Sequence, residues 1–293
     1  SIFDLETDLF PCLIDMKFKG VRVDVEGAHK LKQKQYDIIA VVHAETSTGV
    51  LNPIQELAQV AKEFNALFLV DAVTSLGGVD IQMDNWGIDI CYSGTQKCLA
   101  CPPGLAPVAL SEHAMELIEK RQTPVHSFYL DMTQLRKYWH LRNYHHTAPI
   151  SMLYALREGL RLLMEEGLEN RIHRHATCAE ALLAGIHEMG LSLFAKEGHR
   201  LPMLTSVRIP ENIEDTKVRQ ALLNEFNIEI SGGLGNQSGR IWRIGLMGEN
   251  ARAERVLYFV SSLERVLNRL DYKVTLGAGV AAAQQVLEKS TTS

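Results

Sequence analysis

The sequence predicts an α/β fold: a mostly parallel sheet in a large N-terminal part, followed by a smaller α+β domain. Three observations predict it. Short apolar, β-branched runs alternate with helical patterns between residues 38 and 92. Each run stops abruptly at polar residues. From Thr147 onward the pattern changes to long amphipathic stretches.

Residues 38–42 (IIAVV) suit a strand buried on both faces, and His43 to Gly49 is a polar, glycine-ended loop. Asn52-Pro53 opens a helix in which Leu57, Val60, Ala61 and Phe64 share one face. Residues 66–70 (ALFLV) form a second strand stopped by Asp71. Gly77-Gly78 is a turn, and Ile88 to Tyr92 is a third strand leading into SGTQK. Ile150 to Glu166 and Asn170 to Met189 read as long helices joined at Gly167. A strand at 203–209, a helix at 214–226, a glycine-rich turn at 231–239, a strand at 241–246 and a helix at 251–270 follow. The expected organisation is a leader at 1–34, a partial large domain at 35–148, a small domain at 149–272 and a tail at 273–293 containing a frayed helix.

Hydrophobic content of 46% and charged content of 22% are those of a soluble globular chain. A net charge of −5 without a basic block argues against nucleic acid or an anionic membrane surface as partner. No apolar run approaches the roughly 20 residues of a membrane helix. The acidic start does not resemble a secretory signal, and the closing STTS is not a peroxisomal address, so the cytoplasm is expected. Of the five cysteines, Cys98 and Cys101 have C-x-x-C spacing, but no second ligand pair stands at finger-like distance. Free thiols and no metal are expected. His145-His146 is read as a loop pair pointing to opposite faces of an extended chain. Gly233-Leu-Gly235 lacks the spacing of a dinucleotide fingerprint. Arg157, Arg161 and Glu165 are read as a solvated helix face.

Ligands of parallel α/β sheets bind beyond the carboxyl ends of the strands. Three such ends occur in order: His43 to Gly49, Asp71-Ala-Val-Thr-Ser75 and Ser93-Gly-Thr-Gln-Lys97. Lys97, flanked by small and apolar residues, has the surroundings that turn an amine into a nucleophile toward carbonyls. Asp71 is a carboxylate at a buried strand end and calls for a cationic partner, such as a protonated pyridine nitrogen. Taken singly, such a lysine is usually a surface residue and such an aspartate a turn former or cap.

The wording of the chain adds to this. HAETSTGVLNP, LFLVDAVTSLGG, GIDICYSGTQKCLACPPGLAP, SFYLDM, YHHTAPI, GLENR, IEISGGLG and RIGLMG together resemble the class V aminotransferases, in particular the alanine–glyoxylate, serine–glyoxylate and serine–pyruvate branch. The resemblance implies a fold type I transferase using pyridoxal 5′-phosphate. It implies transamination between alanine or serine and a 2-oxo acid, glyoxylate or pyruvate, in a homodimer. Lys97 matches the Schiff-base lysine that also shuttles the proton at substrate Cα. Asp71 matches the aspartate on the pyridinium nitrogen, Thr46 a residue on the ring-hydroxyl side, Val73 a ring-packing residue and Gln96 a contact near the phosphate. Tyr144 and Thr147 match residues that reach the phosphate from the neighbouring subunit, and Arg243 matches the arginine for the substrate carboxylate.

The resemblance runs from about Gln35 to about Leu270. Family members carry a segment ahead of it that supplies a phosphate-binding turn, a tryptophan stacked on the ring and a dimer arm. Residues 1–34 match none of these, and Trp86, Trp139 and Trp242 match other positions. Residues 1–34 faintly resemble a segment of family A DNA polymerases. The alternatives are cysteine desulfuration, for which Cys98 and Cys101 lie too near Lys97 to form a mobile catalytic loop, an inactive or chimeric remnant, and a nucleic-acid-associated fragment. The enzymatic reading requires the amine at position 97 and the carboxylate at position 71 to face one pocket.

Overall fold

The computed structural model describes residues 38–291. The expectations for residues 1–34 lie outside this range.

Strands β1 (Ile38–Val42), β4 (Leu67–Asp71), β5 (Ile90–Tyr92) and β6 (Val108–Leu110) form a sheet in the order β1-β4-β5-β6. The first two pairings are parallel and β5–β6 is antiparallel. Between β1 and β4 come a small hairpin, β2 (Ala44–Glu45) and β3 (Val50–Leu51), and helix α1 (Ile54–Glu63). Helix α1 buries Ile54, Leu57, Ala58 and Ala61 against Val41, Phe68 and Val70 of the sheet. Of the stripe expected, Leu57, Val60 and Ala61 are buried and Phe64 is half-buried. A short α2 (Met83–Trp86) precedes β5. The Asp89 carboxylate then accepts from the Phe68 N–H (3.0 Å) and the Ser111 hydroxyl (2.7 Å), tying the lower ends of β4 and β5 to the next helix.

Besides the short β2, β3 and α2, and a short strand at Ser231–Gly232, the elements not legible in the sequence were β6, α3 (Glu112–Glu119) and α4 (Met132–Leu141). Strand β6 exposes two of its three residues, and α4 buries none, so neither carries a periodic apolar signal. Their starts are polar: Ser111 caps α3 through the Ala114 N–H, and Asp131 caps α4 through Thr133.

The second half holds α5 (Ile150–Glu166), α6 (Leu168–Glu188), β7 (Leu204–Arg208), α7 (Asp215–Phe226), β8 (Ser231–Gly232), β9 (Ile241–Gly245), α8 (Ala253–Arg269) and α9 (Ala278–Thr291). Strands β7-β9-β8 form an antiparallel sheet. Its core gathers Trp242, Leu182, Leu222, Val260 and Leu263, separate from the core beneath the parallel sheet. Arg161 pairs with Glu158 and Glu165 on the exposed face of α5, the solvated face expected.

The tail is a correction. Residues 278–291 form a helix packed on α6 and α8, with Ala283 fully buried. Two features make this possible. Gly185 lets the helices approach, since a Cβ there would lie 2.9 Å from Val260 and 3.2 Å from the Gly279 carbonyl. The buried Glu264 carboxylate accepts from the N–H groups of Gly277 (2.8 Å) and Gly279 (2.7 Å), capping α9 from another helix. A cap lent across 15 residues leaves no local signature, so the stretch read as a tail.

Candidate active site

The registers place Val42 opposite Asp71 and Asp71 opposite Tyr92, so β1, β4 and β5 end together at one edge. The three polar loops leave from that edge. The Asp71 carboxylate accepts from the Val73 N–H through Oδ1 (2.9 Å) and from the Tyr92 hydroxyl through Oδ2 (2.8 Å). Each oxygen keeps a second lone pair. Among the described residues no cation pairs with Asp71. Tyr92 was not singled out in the sequence, where it reads as the last residue of a strand. Burial raises its pKa, and the hydrogen bond and charge of Asp71 raise it further, so it remains an O–H donor. Burial and the Asp71 charge likewise raise the Cys91 thiol.

The loop after β5 is stitched to the loop after β4. Ser93 donates to the Ala72 carbonyl (3.0 Å), and the Cys98 thiol donates to that of Thr74 (3.2 Å). Within the loop, Cys101 N–H bonds the Thr95 carbonyl (3.0 Å) and Ala100 N–H bonds that of Lys97 (2.9 Å). Lys97 is half-buried, and among the described residues its amine has no hydrogen-bond or ion-pair partner. The neighbouring Gln96 is exposed, its amide lying against Gly94. The C-x-x-C pair is a pair of buried, free thiols. Burial pushes Cys98 up to about 12 against the opposing charges of Arg171 and Lys97, so it stays a protonated donor.

On the far side, the β2–β3 turn meets the antiparallel sheet. Arg243 of β9 donates to the carbonyls of Gly232 (2.8 Å, Nε) and Thr46 (3.2 Å, Nη1). Burial lowers its pKa while the Glu45 charge opposes. None of its bonds goes to a carboxylate, and a guanidinium has further N–H groups to donate. Asp71, Val73, Thr46 and Arg243 are thus linked through β1, whose following residue His43 donates its N–H to the Asp71 carbonyl (2.9 Å).

His43 was read only as part of a loop. It is buried, its Nδ1 has no partner among the described residues, and its ring meets Trp86 edge-on at 6.4 Å. Burial pushes its pKa down to about 4, against the Asp80 charge. The native state therefore holds it neutral while the unfolded chain protonates it below its ordinary value of about 6.5. Stability is full above that pH and falls as pH drops toward 4, where the loss levels off at about 3 kcal/mol. His175, also lowered by burial, acts in the same direction. Urea midpoints between pH 7 and 4 are expected to fall less steeply in His43→Phe than in the wild type; parallel curves would refute the assignment.

Tyr144 and Thr147 are exposed, and their hydroxyls bond each other (3.0 Å) rather than the strand-end loops. The adjacent histidines do not point apart: a bend at His146 brings the two Nδ1 atoms to 2.8 Å, and Phe128 stacks on His145 at 4.3 Å. The chain here is bent, not extended, so strand alternation does not apply. Among the described residues no group of three His, Cys, Asp or Glu is placed to hold a metal, and no helix is long and apolar enough to cross a membrane. A cavity of about 560 Å³ lies between β6, α3 and α4, but none of its lining residues belongs to the strand-end loops.

Comparison with known proteins gives a consistent result. A family model described as Aminotransferase class-V matches residues 15–253, beginning ahead of the Gln35 expected as the start of the resemblance. The curated (S)-ureidoglycine–glyoxylate transaminase of Bacillus subtilis (strain 168) is 41% identical, covering 89% of this chain and 67% of its own. The crystal structure of ureidoglycine–glyoxylate aminotransferase from Bacillus subtilis superposes with a TM-score of 0.88 at 43% identity, over 92% of this chain and 70% of that one. That of alanine–glyoxylate aminotransferase from Nostoc sp. superposes at 0.82 with 47% identity, over 85% and 66%. The chain thus spans about two thirds of the length of these relatives.

Proposed function

This chain belongs to the class V aminotransferases, whose cofactor is pyridoxal 5′-phosphate, and from that premise we propose that it transfers an amino group from a small amino acid to glyoxylate. The observation that carries the reading is a pair of unpartnered charges. The Asp71 carboxylate has no cation and the Lys97 amine no partner among the described residues, on loops stitched to each other at one sheet edge. The cofactor needs both: a carboxylate for its ring nitrogen and an amine for its carbonyl. The residues present fit it.

When bound, the cofactor supplies an electron sink for the pair left on substrate Cα. Asp71 would hold the ring nitrogen protonated, its own carboxylate being oriented by Val73 N–H and Tyr92 O–H. Lys97 would hold the cofactor through its Nζ, and the same amine would take the proton from substrate Cα and give one back. Arg243, tied to Gly232 and Thr46, presents its remaining N–H groups to the substrate carboxylate. By the family resemblance Val73 would pack on the ring, Thr46 would lie on its hydroxyl side and Gln96 would contact the phosphate. Tyr144 and Thr147 would reach the phosphate of a second subunit. Their exposure supports this, as do the exposed Phe128, Tyr129, Trp139 and Leu141 around them, which a homodimer would cover. The separate cores support a division into large and small domains near residue 149. Free thiols at Cys91, Cys98, Cys101 and Cys178 support a reducing, cytoplasmic setting.

The test is chemical. The purified chain is incubated with pyridoxal 5′-phosphate, reduced with borohydride and digested. The phosphopyridoxyl group is expected on the peptide containing Lys97; its absence there would sink the proposal. Alanine, serine and ureidoglycine are then compared as donors to glyoxylate, with glycine as the measured product.

A further inference from the structure

The mechanism above leaves a buried polar network at the end of α5 and on α6 unused. Glu166, Arg171, Arg174 and His175 form one network beneath the Lys97 loop, where β9 turns toward α8. Arg171 and His175 are buried, with 2% and 0% of their surface exposed. Glu166 accepts from Arg171 (2.7 Å) and Arg174 (2.5 Å). Burial opposes its ionisation, yet these hydrogen bonds prevail and hold its carboxyl at about 2. One carboxylate thus serves two guanidinium groups, whose other N–H groups, with the His175 ring, make directional bonds to backbone.

Apart from one bond within α6, these bonds reach two turns. Arg171 donates to the Cys98 carbonyl (3.2 Å), next to Lys97. Arg174 donates to the Gly248 carbonyl (2.9 Å). His175 bonds the Arg171 carbonyl through Nδ1 (2.7 Å) and accepts the Gly248 N–H at Nε2 (3.0 Å). These partners require the neutral ring with its proton on Nδ1. Burial, the dominant influence, lowers its pKa and favours that neutral form.

Gly248 in turn packs against the lysine loop. Its φ is +57°, and a Cβ there would lie 2.7 Å from the Ala100 Cβ and 3.3 Å from the Lys97 carbonyl oxygen. Lys97 and Ala100 are joined by the turn bond already described, so the Gly248 backbone forms the floor of that turn.

We propose that His175 is a positioning residue for Lys97: by accepting the Gly248 N–H it seats the Gly248 turn against the Lys97 backbone and so aims the amine. The inference rests on the reading of Lys97 given above. It goes further in making cofactor attachment depend on one acceptor nitrogen in another part of the fold.

The test compares three proteins: wild type, His175→Gln and His175→Asn. A glutamine oxygen reaches the place of Nε2, whereas asparagine is one methylene too short. Cofactor affinity, the pH at which the bound-cofactor absorbance changes, and amide exchange of the 246–252 peptide in the cofactor-free chain are measured, with melting temperature as a control. His175→Asn is expected to weaken cofactor binding about tenfold, shift the absorbance transition and speed exchange at Gly248, while His175→Gln stays within about threefold of wild type. Equal losses in both variants that track melting temperature overturn the proposal, as does wild-type binding in both. A wild-type chain that takes up no cofactor at Lys97 overturns this inference and the proposed function together; normal wild-type uptake with indifferent variants overturns the inference alone.

Discussion

Replacing Lys97 by alanine is expected to lower transamination by about 10⁴-fold or more, because the change removes the covalent anchor and the proton carrier at once. Stability should change by no more than about 0.5 kcal/mol, since the side chain is half-buried and its amine takes part in no hydrogen bond or ion pair among the described residues. Rate and melting temperature therefore separate cleanly. The reaction is followed as glycine formed from glyoxylate, and the labelling experiment is repeated on the variant. A chemically competent amine that merely sits nearby would leave labelling elsewhere on the chain. Retention of even one tenth of the wild-type rate would show that another group moves the proton.

Asp71→Asn is the second large effect. The substitution keeps the size of the side chain and an oxygen for the Val73 N–H, and its amide can donate to the Tyr92 oxygen in place of accepting from it. What it removes is the charge. Without a carboxylate the ring nitrogen of the cofactor is no longer held protonated, and the electron sink weakens. A loss of about 10²- to 10³-fold in the rate is expected with cofactor still attached at Lys97. Tyr92→Phe, which leaves the charge and removes one of its two oriented hydrogen bonds, should cost about tenfold. That ordering distinguishes charge from simple packing. If Tyr92→Phe matched or exceeded Asp71→Asn, the carboxylate would be holding the loop and not the ring.

The strands that end at Val42, Asp71 and Tyr92, the helix between them and the long helices α5 and α6 were legible in the sequence. Each carries its own period, so the signal is local. Helix α4 was not, because it buries nothing and has no stripe to read. Helix α9 was read only as a frayed helix in a tail because its cap comes from Glu264 and its seat from Gly185, both on other helices. Within the site the same division holds. Asp71 ends one strand and Lys97 lies in the polar loop after another, where a polar group demands a reason. Tyr92 and His43 stand at the same edge yet look like ordinary strand-end residues until the register sets them beside Asp71.

By itself, then, the order of residues determined the alternation of strand and helix, the parallel sheet that follows from it, and the polar loops that leave the ends of its strands. These depend on spacings of two to about four residues, and the chain displays such spacings openly. Folding alone decided that Arg243 would bond Thr46 across 197 positions, that Tyr92 would steady Asp71, and that a histidine on α6 would hold a glycine against the lysine turn. Hydrogen bonds are short-ranged and directional, so they exist only once packing has brought donor and acceptor within about 3 Å. No spacing along the chain encodes that distance.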